Sequence, residues 1–457
     1  NRVDLNIRGR SGCSLKEMIM ETEKKLINRL SDKDAKIAVI GLGYVGLPLA
    51  VEKAKAGFEV AGIERKKNRV EKVNNGENYI PDVLDVELAE VVDAGRLTAT
   101  QSYEVVKDAD VVTICVPTPL DEGKNPDTIF IENVLENSLP FTHENQLFVL
   151  ESTTYPGTTQ EVIQPRLEEA GFTVGEDVFL AFSPERVDPG NRKYKTGNTP
   201  KVVGGVTENC TEVAQTLYEQ VIDGNIHPVS SPAVAEMEKL LENIFRVVNI
   251  SLVNELAMLA DRMDIDIWEV IEAAKTKPFG FMAFYPGPGL GGHCIPLDPF
   301  YLAWKAKQHD FSTRFIELAG QINDRMPGYV AGKAMEVLNE RGKPLNGSRV
   351  LLLGVAYKKD VDDLRESPAL DVMKSLKSKG AELNYHDPHI DNVDLEGESY
   401  TSVDLSEEQL SKADLVIITT SHSAVDYQKV VNQADLIYDT RNALGDYEAE
   451  HIYKLGS

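Results

Sequence analysis

Cysteine is scarce in these 457 residues: four thiols, Cys13, Cys115, Cys210 and Cys294, with no CxxC pair among them. That excludes a disulfide framework and fits a reducing, cytoplasmic compartment. Basic charge is short as well. Lys and Arg number 48 against 73 Asp and Glu, a net charge of −25 with no Lys/Arg block, which argues against a nucleic-acid partner or an anionic membrane surface. The sequence shows nothing that reads as a membrane span. The N-terminal stretch has too short an apolar run and too acidic a flank for a signal peptide.

The chain is long enough for two or three domains. In residues 1–34, Leu15, Met18, Ile19, Leu26 and Leu30 fall at helical spacing, the pattern of an amphipathic leader helix docking on its own protein or on a partner subunit. Over 35–228, short runs such as "KIAVIGLGYVG", "FEVAGIE", "ADVVTICVPTP", "QLFVLEST" and "VFLAFSPE" alternate with helical stretches, as in a doubly wound parallel sheet. In the middle region, 229–340, about thirty residues after Ser231-Pro232 lack Gly and internal Pro and predict one long connecting helix. A second α/β pattern fills 341–457. The expected fold class is α/β, with two Rossmann-like doubly wound parallel-sheet domains joined by a helical central domain.

"IAVIGLGYVG" sets Gly41, Gly43 and Gly46 in G-x-G-x-x-G spacing after a strand and before a helix, with Tyr44 and Val45 in the same turn. Such glycines permit the tight turn, the approach of backbone to a pyrophosphate, and close helix–strand packing. The next strand ends in Glu64, suited to an adenosine ribose diol and to NAD, while the adjacent Arg65 weakens the discrimination against NADP.

"GPGLGGHCIPLDP", residues 287–299, can be neither helix nor ordinary strand, and it carries Cys294 beside His293 and Asp298. A nucleophilic thiol needs loop backbone that comes close to the reacting carbon, and this stretch supplies it. Cys115 and Cys210 read instead as small buried hydrophobes. Lys239 and Asn243 share one face of the long helix. "HDPH", with His386 and His389, reads as a turn, and no metal is assigned.

"GLGYVGLPLA", "LEST", "SPERVDPG", "EKLLEN", "GPGLGGHCIPLDPFYL" and "GVAYKKDVDDLRESPA", in this order over residues 36 to about 445, closely resemble the UDP-glucose/GDP-mannose dehydrogenase family. The resemblance implies a four-electron, NAD-dependent oxidation of a sugar 6-hydroxyl to the acid through a thiohemiacetal and a thioester. By matching motif, Cys294 is the nucleophile, Lys239 stabilises oxyanions, Asp298 handles protons or positions water, and Asn243 helps form the oxyanion or water site. Glu185 and Thr153 are the pair that orients the hydrolytic water. Thr118 and Thr153 lie near the nicotinamide, and Arg365 reaches the cofactor. The substrate set is Glu185, Arg186, Val187, Lys239, Asn243, Phe281, Tyr285, Gly291, Lys358 and Arg441, with Lys358 and Arg441 as uridine-diphosphate contacts. The resemblance also implies a homodimer paired through the long helix, with further assembly open.

Pro189 stands where the UDP-glucose branch places a second glutamate. The motifs resemble instead the branch that oxidises UDP-N-acetylhexosamines for polysaccharide precursors, closest to the UDP-N-acetylglucosamine 6-dehydrogenases, with gluco, manno and galacto epimers open. A one-step dehydrogenase that releases an aldehyde, and a non-catalytic nucleotide-sugar binding protein, are the rival readings.

Overall fold

β-branched and aliphatic runs fit a pleated surface covered on both faces, and the strands that carry them are buried end to end. The computed structural model describes residues 15–457 except 122, 124, 189, 190, 192 and 293–296, and for residues 15–22 the backbone alone. Cys13, Pro189, His293 and Cys294 thus lie outside the described residues. By packing, the chain divides into two units, Asn1–Leu241 and Glu242–Ser457.

The first unit is built on an eight-stranded sheet of order β3-β2-β1-β4-β5-β6-β7-β8. Its strands are β1 Lys36–Ile40, β2 Glu59–Ile63, β3 Leu97–Thr100, β4 Val111–Ile114, β5 Leu147–Leu150, β6 Phe179–Phe182, β7 Lys201–Gly205 and β8 Ile226–Val229. The expected parallel sheet is present, with one departure: β6 and β7 pair antiparallel, so β7 and β8 run against the rest. The strand order reverses between β1 and β4, which puts a ligand crevice at the carboxyl ends of those strands.

The leader helix, Leu15–Ser31, docks on its own unit against the Glu208–Val221 helix. Leu26 and Leu30 enter the sheet core at 1% and 0% exposure. Arg29 pairs with Asp110, and the second oxygen of Asp110 accepts the Lys36 N–H at 2.8 Å, tying the leader to the start of β1.

The long helix, Pro232–Ala260, begins in the first unit and continues into the second, with Ser231 Oγ accepting the Val234 N–H at 3.4 Å. In the second unit it packs on the Arg314–Glu340 helix through buried polar groups. Asn254 donates to Asn323 Oδ1 at 2.9 Å, and Asn323 donates to Ser251 Oγ at 2.6 Å. These bonds fix the register of two otherwise apolar faces. On its outer side, Met237, Leu241, Phe245, Leu252, Leu256 and Leu259 form an exposed apolar stripe. By length and composition this helix could cross a membrane, but its inner face buries Lys239, Asn243 and Asn254 against protein.

The second unit carries a five-stranded parallel sheet, β10-β9-β13-β14-β15, and a hairpin, β11–β12. The strands are β9 Arg349–Leu353, β10 Glu382–His386, β11 Asn392–Leu395, β12 Glu398–Thr401, β13 Leu415–Ile418, β14 Ile437–Asp439 and β15 Ile452–Lys454. Trp268, on the Ile267–Lys275 helix, anchors the chain end by donating Nε1–H to the Leu455 carbonyl at 2.8 Å.

Because Leu30 is fully buried, Leu30→Ala should cost about 2–5 kcal/mol. Urea unfolding checks this: the transition of the first unit should move to lower denaturant, and an unchanged midpoint would mean that the leader contributes nothing to stability.

Candidate active site

The glycine turn leaves β1 with Gly41 at φ +92, where a Cβ would stand 2.4 Å from the Cys115 carbonyl oxygen. A Cβ on Gly46 would stand 1.8 Å from the Gly41 carbonyl oxygen, so helix and turn touch backbone to backbone. Gly43 faces open space. The helix that follows, Gly46–Lys55, has no side-chain cap at Val45; its Leu47 N–H bonds the Gly43 carbonyl at 3.1 Å, so the positive end of the helix dipole begins at the glycine turn. Tyr44 is exposed beside the turn. Glu64 closes β2 with Oε1 held by the Lys66 N–H at 2.9 Å and Oε2 3.5 Å from Arg69, while Arg65 points to solvent. A pyrophosphate cradle with a carboxylate at the next strand end fits NAD.

Beyond the turn, the loops after β4 and β5 meet. Thr118 donates its hydroxyl to the Thr153 carbonyl at 2.6 Å, and Ser152 donates to the Val116 carbonyl at 2.7 Å. The loop after β6 presents Glu185, whose Oε1 accepts the N–H groups of Arg186 at 2.8 Å and Val187 at 3.0 Å. Its Oε2 is buried and has no hydrogen-bond partner among the described residues. Arg186 bonds the Pro200 carbonyl at 2.9 Å and lies 3.4 Å from Glu238 on the long helix. One residue further on, Lys239 is 8% exposed, and among the described residues no hydrogen bond or ion pair holds its ammonium. A buried cation without a partner is costly unless a ligand completes it.

Sequence reasoning missed the charges beneath these loops. Lys201, the first residue of β7, donates to Glu151 Oε2 at 2.6 Å and to the Pro184 carbonyl at 3.1 Å. Tyr218 donates its hydroxyl to the other Glu151 oxygen. Lys53 donates to Thr113 Oγ1 at 2.6 Å, and burial pulls it down to about 8 with Glu151 opposing. Glu236 accepts the N–H groups of Gly157 and Thr159 at 2.5 and 2.9 Å, which staples the long helix to the segment after Thr153. Glu151 lies inside "LEST", so the motif was visible, but its partners come from distant strands and helices. Cys115 and Cys210 are buried as expected, and burial pushes the Cys115 thiol well above its ordinary range.

In the second unit the glycines of 287–292 are dictated by their neighbours. A Cβ on Gly287 would meet the Arg441 guanidinium at 2.3 Å, one on Gly291 the Glu366 carbonyl oxygen at 2.6 Å, and one on Gly292 the Tyr357 ring at 2.9 Å. The Gly287 N–H reaches Asn254 Oδ1 at 3.0 Å, and the Gly292 N–H reaches the Arg365 carbonyl at 3.1 Å. Past the undescribed residues 293–296, Asp298 opens a helix, 3% exposed, and accepts the Asn243 amide at 2.6 Å. Both flanks of the Cys294 stretch are thereby fixed. Phe281 and Tyr285 sit on the exposed loop before it, with Tyr285 stacked on Trp268 at 6.1 Å and bonded to Glu272 at 2.7 Å.

Arg441 donates to the Thr419 carbonyl at 3.0 Å, and burial pulls its guanidinium down to about 10 with Asp439 opposing. Arg365 forks onto Asp363, and Lys358 is half-buried two residues before Asp360. Asp360, His389 and His422 bring possible ligand atoms within 4.8 Å of one another. Both ring nitrogens of His422 already serve the fold, Nδ1 by accepting the Asp360 N–H at 3.0 Å and Nε2 by facing Asp387 at 3.1 Å. These bonds pin the Lys358 loop to the loop after β13.

Comparison with known proteins matches three descriptions in chain order: the UDP-glucose/GDP-mannose dehydrogenase family NAD binding domain over residues 35–222, central domain over 233–325, and UDP binding domain over 351–446. A UDP-N-acetyl-D-glucosamine 6-dehydrogenase from Pseudomonas aeruginosa is 34% identical over 92% of this chain and 99% of its own. A UDP-N-acetyl-D-mannosamine dehydrogenase from Pyrococcus horikoshii is also 34% identical, over 92% of this chain and 98% of its own. A solved UDP-D-ManNAc dehydrogenase structure from Pyrococcus horikoshii superimposes with a TM-score of 0.84 at 33% identity, covering 92% of this chain and 99% of that one. With the glycine cradle in the first unit and all three domains in register, the chain belongs to the UDP-glucose/GDP-mannose dehydrogenase family and is an NAD-dependent nucleotide-sugar dehydrogenase.

Proposed function

We propose that this enzyme oxidises the C6 hydroxyl of a UDP-N-acetylhexosamine, most specifically UDP-N-acetylglucosamine, to the uronic acid, through adducts on Cys294 and for polysaccharide precursor synthesis. The observation that carries the reading is Lys239: a side chain 8% exposed whose ammonium has no hydrogen bond or ion pair among the described residues, one helical turn from Asn243, whose amide holds Asp298 four residues past the thiol. NAD, held by the Gly41–Gly46 turn and Glu64, would supply the hydride acceptor for both oxidations. Lys239 and Asn243 stabilise the charge that develops on O6. The Cys294 thiolate adds to the aldehyde carbon and keeps it bound between the oxidations. Glu185, with one oxygen held by backbone N–H groups and the other uncommitted, takes a proton from the water that cleaves the thioester, with Thr153 aligning it and Asp298 assisting. Arg186, Val187, Phe281, Tyr285 and Gly291 line the sugar side, Lys358 and Arg441 hold the uridine diphosphate, and Arg365 serves the cofactor.

The gluco assignment is supported by the named activity of the Pseudomonas aeruginosa relative, and an N-acetylhexosamine over glucose by Pro189. The manno epimer is the second reading, supported by the Pyrococcus horikoshii protein. The apolar stripe on the long helix supports a homodimer formed through it, open to further assembly. Action in the reducing cytoplasm suits a chemistry that depends on a free thiol.

An NADH-release screen over UDP-glucose, UDP-N-acetylglucosamine and its manno and galacto epimers should give two NADH per molecule with the N-acetylglucosamine substrate. Cys294→Ala should make no acid. Near-normal acid formation by that variant would remove the covalent route, and one NADH per sugar would favour a dehydrogenase that releases aldehyde. Lys239→Ala should lower kcat by roughly 10²–10³-fold, with KM little changed. Leu252→Asp should halve the mass seen by light scattering, and an unchanged mass would move the subunit interface elsewhere.

A further inference from the structure

Lys201 is 2% exposed at the start of β7. Its ammonium contacts Glu151, two residues before Thr153, and the carbonyl of Pro184, the residue before Glu185. One cation on β7 therefore joins the loop that follows β5 to the loop that follows β6. Those two loops carry the pair assigned to the hydrolytic water.

The surrounding charge is lopsided. Lys53 and Lys201 are both fully enclosed, whereas Glu151 is the one carboxylate hydrogen-bonded to Lys201, and its other oxygen is taken by Tyr218. Glu185 is the second carboxylate whose field reaches Lys201. Burial acts to lower Lys201, and the nearby Glu151 and Glu185 carboxylates more than reverse it, so it is raised. Glu185 Oε2, buried and without a hydrogen-bond partner among the described residues, is the atom this arrangement leaves available.

We infer that Lys201, acting through Glu151 and the Pro184 carbonyl, is a positioning residue that fixes Glu185 for the hydrolysis half of the reaction. Since it rests on the thioester chemistry proposed above, the role belongs to one step. There the water oxygen bonds to C6 of the thioester, and Glu185 Oε2 takes a water proton. The C6–Sγ bond breaks, and its electron pair leaves with Cys294 as thiolate. No oxidant is consumed.

A displacement of about 1 Å in a positioned group costs on the order of 10²-fold in rate. Lys201→Met keeps the length of the side chain and removes its charge. With saturating UDP-N-acetylglucosamine and NAD, this variant should release a rapid burst of NADH and then turn over roughly 10²-fold more slowly than the unmodified enzyme. Intact-mass spectrometry of the quenched enzyme should show a sugar adduct on Cys294. Glu185→Gln should trap the same adduct, and Glu151→Gln, which preserves shape, should trap a smaller share and answers the question if Lys201→Met does not fold. A purely structural role would depress burst and steady state together without any adduct. That result in folded Lys201→Met or Glu151→Gln, beside an adduct in Glu185→Gln, would overturn the positioning role. Absence of the adduct in Glu185→Gln would bring down the thioester reading and this inference with it.

Discussion

An ammonium sealed inside a sheet is tolerated only with an anion against it, and here Glu151 stands 2.6 Å from Lys201 with Tyr218 on its far oxygen. The contact does more than neutralise charge. Strands β5, β6 and β7 each end or begin at it, and the antiparallel entry of β7 is what brings a lysine at the start of one strand beside residues at the ends of the other two. From that point the loop bearing Thr153 reaches Thr118 on one side, and Glu236 grips its continuation from the long helix. The paths of the loops that carry Thr153 and Glu185, the residues proposed for the hydrolytic water, are tied to one buried salt bridge.

The two units solve the same problem in different ways. In the first, glycines exist because backbone must approach backbone and a pyrophosphate. In the second, the glycines of 287–292 exist because Arg441, Tyr357 and the Glu366 carbonyl fill the space where side chains would be. A side chain at Gly287 would displace the guanidinium proposed to hold the uridine diphosphate. The Asn243–Asp298 bond closes the other end of that loop, and Asn243 shares a helix face with Lys239.

Buried polar groups also organise the helices. The Ser251, Asn323 and Asn254 ladder gives two long apolar helices one register, since sliding by a turn would leave amides without partners. On the exposed side of the long helix an apolar stripe, Met237, Leu241, Phe245, Leu252, Leu256 and Leu259, runs beside the exposed Arg246 and Glu255. The leader helix shows the same division of labour: Leu26 and Leu30 supply burial, and Arg29 on Asp110 supplies register.

Local pattern was enough to identify the strands β1, β2, β4, β5 and β6, the glycine turn and the long helix, because periodicity and turn chemistry are properties of neighbours in the chain. It did not reveal β3, β7 or β8, whose four- and five-residue runs contain Gly, Pro or alternating Thr and borrow their stability from the sheet they join. Nor could it choose the surface for the leader helix, since an amphipathic face is equally suited to any apolar partner. Lys201, Glu151, Tyr218 and Glu236 read in sequence as ordinary polar residues. Only the fold, by closing water out around them and setting an ammonium and a phenol against one carboxylate across 50 and 67 positions of chain, made them a frame beneath the loops.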